Sequence, residues 1–300
     1  MKRRLNFKPI GFDDMPVIGS LLRQGMSRVC DYTPGCLLLW AEYFGYEYCV
    51  VDDTLLIKGV PEGERDGMAF MLPVGRLPLS DSVALIADYC RERGATMKFT
   101  AIPEDRAHEL MAIDDFVVEE LEGWGDYLYE AGKLSTLSGR SMNKKRNKVN
   151  RFMADNPDFR FEPLSAENVR DVAAFFDEIC RGKEFSAMAK YETGMIKRVL
   201  RDYECYGLDG AVLSVNGRVV AFTFGEVVDD TLYVHVEKMN HNITGAGETI
   251  NKLFAEAMVE RYAPVYINRE EDLGDDGLRR AKLSYHPCEI IKKYNVQKSS

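Results

Sequence analysis

The chain has 300 residues, 46 % of them hydrophobic, and its 39 lysines and arginines against 48 aspartates and glutamates give a net charge of -9. Such a composition buries a sizeable core, and the length suits about two domains of ordinary size. The acidic balance argues against a protein that coats nucleic acid through lysine and arginine density. The longest apolar run, Cys36 to Trp40, is far shorter than a membrane span needs.

The basic start Met1-Lys2-Arg3-Arg4-Leu5 lacks the apolar stretch of a signal peptide and reads as the beginning of the first strand, so a cytoplasmic protein is the default. Seven cysteines without any C-x-x-C spacing read as reduced core thiols. The four histidines show no ligand pairing, so no metal is expected.

In chain order, a strand is predicted near Arg4 to Ile10, a helix from Met15, and another over Leu37 to Phe44. Strands follow at Tyr46 to Val51, Thr54 to Val60 and Met68 to Leu72. Val83, Ile86, Ala87 and Cys90 recur at helical spacing and predict a helix over Ser82 to Arg93, closed by Gly94. A strand over Thr96 to Ile102, a helix over Glu104 to Met111 and a strand pair within Phe116 to Tyr129 complete this half.

A basic stretch comes next, with seven cations and no acid between Ala131 and Ala154. It predicts a linking helix over Ser141 to Asp155, with Lys144, Lys148 and Arg151 on one face and Met142, Val149 and Met153 on the opposite, buried side.

The second half repeats the order of the first. It opens with a strand over Phe159 to Pro163, a Ser165-capped helix to Cys180 and a helix over Glu192 to Glu204. Strands over Ala211 to Val215, Val219 to Val228 and Thr231 to Lys238 are joined by Asn216-Gly217 and Asp229-Asp230 turns. A helix over Ala246 to Arg261 and a crossover strand at Val265 to Ile267 follow. The fold class is therefore α/β (α+β) with mixed central sheets, duplicated in tandem. Residues 1–137 form an N-terminal domain, 138–155 a basic linker helix and 156–300 a C-terminal domain.

With a two-residue turn at Asp229-Asp230, Glu226 faces Tyr233, Phe224 faces His235 and Phe222 faces Glu237, all on one sheet face. The crossover strand runs into Arg269, Glu270, Glu271 and Asp272. Two readings stand: the strand has reached water, or its end loop carries chemistry. From Leu278 a short helix is expected to bury Leu278, Ala281 and Tyr285 and to carry Arg279, Lys282 and His286 on the neighbouring side.

The element order resembles the GNAT acyltransferase fold, present twice. The run Y-I-N-R-E-E-D-L-G-D-D-G-L-R-R-A-K-L-S-Y-H-P from Tyr266 to Pro287 carries a more specific resemblance. With it go W-x-D-Y-L-Y at Trp124 to Tyr129, L-S-G-R at Leu137 to Arg140 and N-K-K-R-N-K at Asn143 to Lys148. Together they resemble the bacterial family related to the C-terminal catalytic domain of phosphatidylglycerol lysyltransferases. The resemblance implies a tandem GNAT architecture akin to the Fem peptidyltransferases. It implies aminoacyl-tRNA as donor, a lipid or peptide acceptor met by peripheral contact, direct transfer, and no required cofactor.

Within that frame Asn242-Ile243-Thr244-Gly245-Ala246-Gly247 stands where a GNAT protein holds an acyl carrier's pyrophosphate. Asn242 replaces the usual Gln or Arg, so the loop either binds acyl-coenzyme A, the alternative donor, or only lets the helix approach the sheet. Pro73 to Pro78 in the first half has no such loop, which leaves any active centre to the second.

The frame implies His235 or Glu237 as general base, with Glu226 and Tyr233 beside them. Lys282 and Tyr285 match the family's L-x-x-x-K-x-x-[FY]-x-P pattern, with Lys282 stabilising an oxyanion or holding a phosphate. Arg269 and Asp272 orient donor or acceptor. Glu270 and Glu271 either join them or pair with Arg279 and Arg280. Lys144, Lys148 and Arg151 form a docking strip for tRNA phosphates or anionic lipid, or a solvated linker face. A binding module without catalysis is the remaining alternative.

Overall fold

The computed structural model describes residues 4–25, 27–64 and 67–298. Met1 to Arg3, read as the start of the first strand, lie outside the described residues. The chain opens with β1 (Lys8–Pro9), α1 (Met15–Leu22), α2 (Pro34–Trp40), β2 (Glu47–Val51), β3 (Thr54–Gly59), β4 (Ala69–Phe70) and β5 (Val74–Gly75). There follow α3 (Leu79–Arg91), β6 (Lys98–Pro103), α4 (Glu104–Met111), β7 (Phe116–Glu120), β8 (Asp126–Glu130), α5 (Ala131–Thr136), α6 (Asn143–Asp155) and β9 (Arg160–Pro163). Then come α7 (Val169–Cys180), α8 (Ala187–Arg201), α9 (Tyr203–Tyr206), β10 (Asp209–Val215), β11 (Arg218–Val228) and β12 (Thr231–Met239). The chain closes with α10 (Ala246–Tyr262), β13 (Tyr266–Asn268), α11 (Asp276–Leu283), β14 (Glu289–Ile291) and β15 (Lys293–Lys298).

The chain divides into two compact units. One comprises residues up to Asp126 with Glu271–Asp275 and the segment from Ile290; the other comprises Tyr127–Glu270 and Asp276–Glu289. Both sheets are mixed, as the sequence led us to expect.

The first unit is built on a sheet in the order β1-β2-β3-β4-β6-β15-β7, with β5 added to β3. On α3 Val83, Ile86 and Cys90 of the predicted stripe are buried, together with Tyr89, while Ala87 is half-buried. Gly94, at φ 62, ends that segment in the left-handed region that glycine adopts without strain. The opening strand is far shorter than expected, because only Lys8 and Pro9 pair with β2. Strand β15 lies between β6 and β7, with Val296 opposite both Phe99 and Val118. Nothing in K-Y-N-V-Q-K marks it as a central strand, since it has one aliphatic residue. The two strands within Phe116 to Tyr129 exist but are not a pair: β7 joins β15, whereas β8 joins β13 in the other sheet.

The second sheet has the order β14-β8-β13-β12-β11-β10-β9. The Asn216-Gly217 turn has φ 50 and 74, the double positive φ of a type I′ hairpin. Phe222 meets Phe175 and Phe176 of α7 edge-on, so α7 covers one face of the sheet. Helix α10 covers the face that carries Leu232 and Val234, through Ile250 and Phe254.

Between these faces the expected ladder holds at one step and then slips. Glu226 pairs with Tyr233, but a bulge sets Phe224 opposite Val236 and Phe222 opposite Lys238. His235 is the extra residue, and one inserted residue reverses the alternation beyond it. Glu237 is therefore opposite Thr223 and moves to the α10 face. The expected grouping of His235 with Glu237 on one face is corrected accordingly.

Candidate active site

Strand β13 runs parallel to β12 over three pairs, Thr231 with Tyr266, Leu232 with Ile267 and Tyr233 with Asn268. Beyond Tyr233 and Asn268 the pairing stops, and side chains fill the gap: His235 and Glu237 from β12, Arg269 and Glu270 from the chain after β13. On the α10 face Arg269 Nη2 donates to Glu237 Oε1 at 2.9 Å, and Asn251 Nδ2 of α10 donates to Glu237 Oε2 at 3.0 Å. The guanidinium lies over the rings of Tyr285 and Tyr129, at 4.9 and 6.0 Å from their centroids. Burial disfavours its charge, but Glu237 outweighs that cost and holds Arg269 more strongly protonated than usual. Two atoms of this group are left over. Arg269 Nη1 and Asn251 Oδ1 are buried and have no hydrogen-bond partner among the described residues.

On the other face His235 is clamped between carboxylates. Its Nδ1 lies 2.7 Å from Glu270 Oε1 and its Nε2 3.1 Å from Glu226 Oε1, with the ring 2 % exposed. Burial works against the imidazolium, yet the two carboxylates win and push the pKa up to about 10. A ring that is protonated on both nitrogens has no lone pair with which to take a proton. Both ring nitrogens are engaged by carboxylates, so His235, expected as a general base, ties Glu226 to Glu270. Tyr233, expected beside it in a binding role, is a core residue at 1 % exposure.

Lys282 and Tyr285 do join Arg269. Lys282 Nζ donates to the Arg269 carbonyl at 2.7 Å, and the Lys282 carbonyl accepts from Tyr129 Oη at 2.9 Å. Lys282 thus fixes the backbone that carries Arg269. The expected burial pattern of the helix is only partly right: Tyr285 is buried, but α11 ends at Leu283, Leu278 is 49 % exposed, and α11 buries no residue. Arg279 lies on α11 half-buried.

The basic helix α6 meets the glycine loop directly. A Cβ on Gly245, at φ 86, would sit 2.6 Å from the Lys148 carbonyl, so this glycine is required for close packing of α6. Gly247 lies against Met239, and Asn242 is exposed. Glu248, in the first turn of α10, takes Lys148 at 2.7 Å and Lys145 at 3.5 Å. This end of α10 thus faces a carboxylate and the backbone of α6, not an open phosphate cradle.

The docking strip is correspondingly reduced, because Lys148 is committed to Glu248 and Arg151 bonds Asp155, while Lys144 is exposed. Lys145 is the cation that the sequence reading passed over. It lies 3.9 Å from the Tyr285 ring centroid, and burial lowers its pKa despite Glu248. Its position four residues before Val149 and seven before Phe152, both buried, was the available signal. Asn251 gave the same signal, a polar residue four and seven places before the buried Ala255 and Met258.

Glu271 and Asp272 belong to the first unit. Asp272 is 2 % exposed, and its Oδ1 accepts from the Gly274 amide at 2.8 Å, which shapes the turn after β13. Glu271 joins a buried group around Lys293 of β15, whose Nζ lies 2.5 Å from Asp31, 2.8 Å from Asp126, 3.6 Å from Glu271 and 3.4 Å from Cys30 Sγ. Cys30, Asp126 and Glu271 have the donor spacing of a cation site, and the ammonium is the cation among them.

The profile of the family described as phosphatidylglycerol lysyltransferase, C-terminal, matches residues 23–297. The chain belongs to that family. A conserved protein of unknown function from Bacteroides thetaiotaomicron is 31 % identical, superposes with a TM-score of 0.90, and is matched over 99 % of this chain and 100 % of its own. The DUF2156 C-terminal domain of a putative lysylphosphatidylglycerol synthetase from Agrobacterium fabrum superposes at 0.68 with 13 % identity, over 97 % of this chain and 93 % of that one. L-PGS from Bacillus licheniformis gives 0.68 with 14 % identity, over 99 % and 94 %. An uncharacterized protein of Mycoplasmoides gallisepticum is 22 % identical over 57 % of this chain and 56 % of its own length, so the match spans little over half of that relative. FemX superposes with a TM-score of 0.61 at 8 % identity, over 97 % of this chain and 97 % of its own, so the two share a fold.

Proposed function

We propose that this member of a transferase family moves an aminoacyl group from aminoacyl-tRNA to an amine or hydroxyl of a lipid or peptide acceptor. The observation that carries the reading is the half-buried Arg269–Glu237 pair, whose Nη1 has no hydrogen-bond partner among the described residues, placed where β12 and β13 cease to pair. The acceptor's nitrogen or oxygen attacks the ester carbonyl, the bond to the tRNA ribose oxygen breaks, and that oxygen leaves with the proton the acceptor gives up. Charge on the carbonyl oxygen is stabilised by Arg269, a donor fixed in advance by Glu237 and, through its backbone, by Lys282. Glu237 is the carboxylate nearest the reaction and the one suited to relay the proton. No thiol nucleophile is called for, because the ester is already activated.

The packing of α6 on Gly245 and the Glu248 carboxylate at the start of α10 disfavour a pyrophosphate at that helix, and so support tRNA over acyl-coenzyme A as donor. No helix among the described residues is long and apolar enough to cross a membrane, so a lipid acceptor would be met at the bilayer surface. The test is incubation with a pool of tRNAs charged with labelled amino acids and a panel of phospholipids and peptides. Label is expected to move to one acceptor class. The absence of both transfer and tRNA binding would remove the proposal.

A further inference from the structure

We propose that Asn251 reads the α-amino group of the aminoacyl donor. This rests on the aminoacyl-transfer reading above and adds to it one residue and one contact. The two oxygens of Glu237 are each used once, Oε1 by Arg269 and Oε2 by Asn251. The carboxylate therefore fixes which way the amide points. Nδ2 must face Glu237, because Oδ1 in that place would set two acceptors against each other, so Oδ1 faces the other way.

Asn251 is 4 % exposed, and its Oδ1 meets no donor. Arg269 Nη1, at the other end of the same carboxylate, meets no acceptor. Folded proteins seldom keep such atoms unpaired, and one hydrogen-bonded unit here lacks one donor and one acceptor.

An aminoacyl ester supplies both. Its ammonium donates to Asn251 Oδ1, beside the negative Glu237, and its carbonyl oxygen accepts from Arg269 Nη1. The two groups are neighbours on one carbon, which suits a site whose open positions flank one carboxylate. Acyl groups without a free α-amine leave Oδ1 unmet and are rejected. A single bound water bridging Oδ1 and Nη1 is the competing occupant.

The experiment uses the full chain, the twenty L-amino-acid amides as probes, and their counterparts lacking the α-amine, with affinity read by calorimetry. At least one amide should bind, and its des-amino counterpart should bind about 10-fold to 100-fold more weakly, the range of a charge-assisted hydrogen bond. N251L should weaken the amide by a similar factor and lose the discrimination, whereas N251Q, which keeps both the donor and the acceptor of the amide, should retain it. If N251L does not fold, N251A replaces it with the same expectation.

Equal discrimination by N251L and the native chain would overturn the proposal. So would native protein that binds no amide, the result expected if only a water sits there. Transfer from charged tRNA is measured in parallel. Native transfer with an unchanged N251L rate overturns the role of Asn251 and leaves the function standing. No transfer by the native chain, with amide discrimination present, overturns the function and leaves the recognition by Asn251 standing.

Discussion

In the first unit Lys293 is fully buried and its ammonium reaches Asp31, Asp126, Glu271 and Cys30; in the second, Arg269 is 12 % exposed and one of its nitrogens has no hydrogen-bond partner among the described residues. Both cations sit where a charge is expensive to bury, and both are held by carboxylates. They differ in completeness. A closed set of partners, with a strand of the central sheet as its anchor, locks β15 in place; an open set leaves the hydrogen-bonding capacity that the proposed donor would use. Incomplete pairing, more than buried charge itself, separates a site from a staple.

Four changes would break or sharpen that contrast. The largest effect is expected from Lys293→Met, which leaves the buried Asp126 and the half-buried Asp31 and Glu271 without their cation. About 3–5 kcal/mol of stability should be lost in urea unfolding. A variant as stable as the native chain would show that the cluster is not a staple. Next, Arg269→Lys keeps a charge but cannot serve Glu237 and a carbonyl oxygen at once. Transfer should fall about 100-fold while the chain stays folded, and an unchanged rate would remove Arg269 from the chemistry.

His235 offers a pH test of a closed cluster inside the second unit. Its folded pKa, about 10, lies above the ordinary 6.5, so its contribution is fully present below pH 6.5 and is lost as pH rises through 10. Thermal or urea unfolding should show the native chain losing up to about 5 kcal/mol over that range relative to His235→Gln. Parallel pH profiles would mean that the imidazolium is not stabilised by Glu226 and Glu270. The smallest effect belongs to Lys144→Ala on the exposed face of α6. Stability should change by less than about 0.5 kcal/mol. The salt dependence of tRNA binding should flatten by about one phosphate contact, and an unchanged slope would take Lys144 out of the docking face.

Much of this was legible before any coordinates. Helices with clear stripes, such as α3 and α10, and hairpins with Asn-Gly or Asp-Asp turns were readable because local spacing and turn chemistry determine them. Arg269, Glu237, Lys282 and Tyr285 were also singled out, and they do come together. The bulge at His235 was not readable, since an inserted residue leaves the alternation of T-L-Y-V-H-V-E-K looking regular. Asn251 and Lys145 passed unnoticed because a polar residue on a buried stripe looks like noise until its partner is known.

The charged run after β13 separates what each level decides. The sequence by itself determined that Arg269, Glu270, Glu271 and Asp272 follow a buried strand, and the cost of burying charge already demanded partners for any of them left inside. Only the tertiary structure decided which partners. The chain leaves β13 through Glu270 at φ 57, outside the extended region, and its side chains part: Arg269 to Glu237, Glu270 to His235, Glu271 to Lys293 and Asp272 to its own turn. The first three partners lie far away in the chain, and no local pattern encodes them.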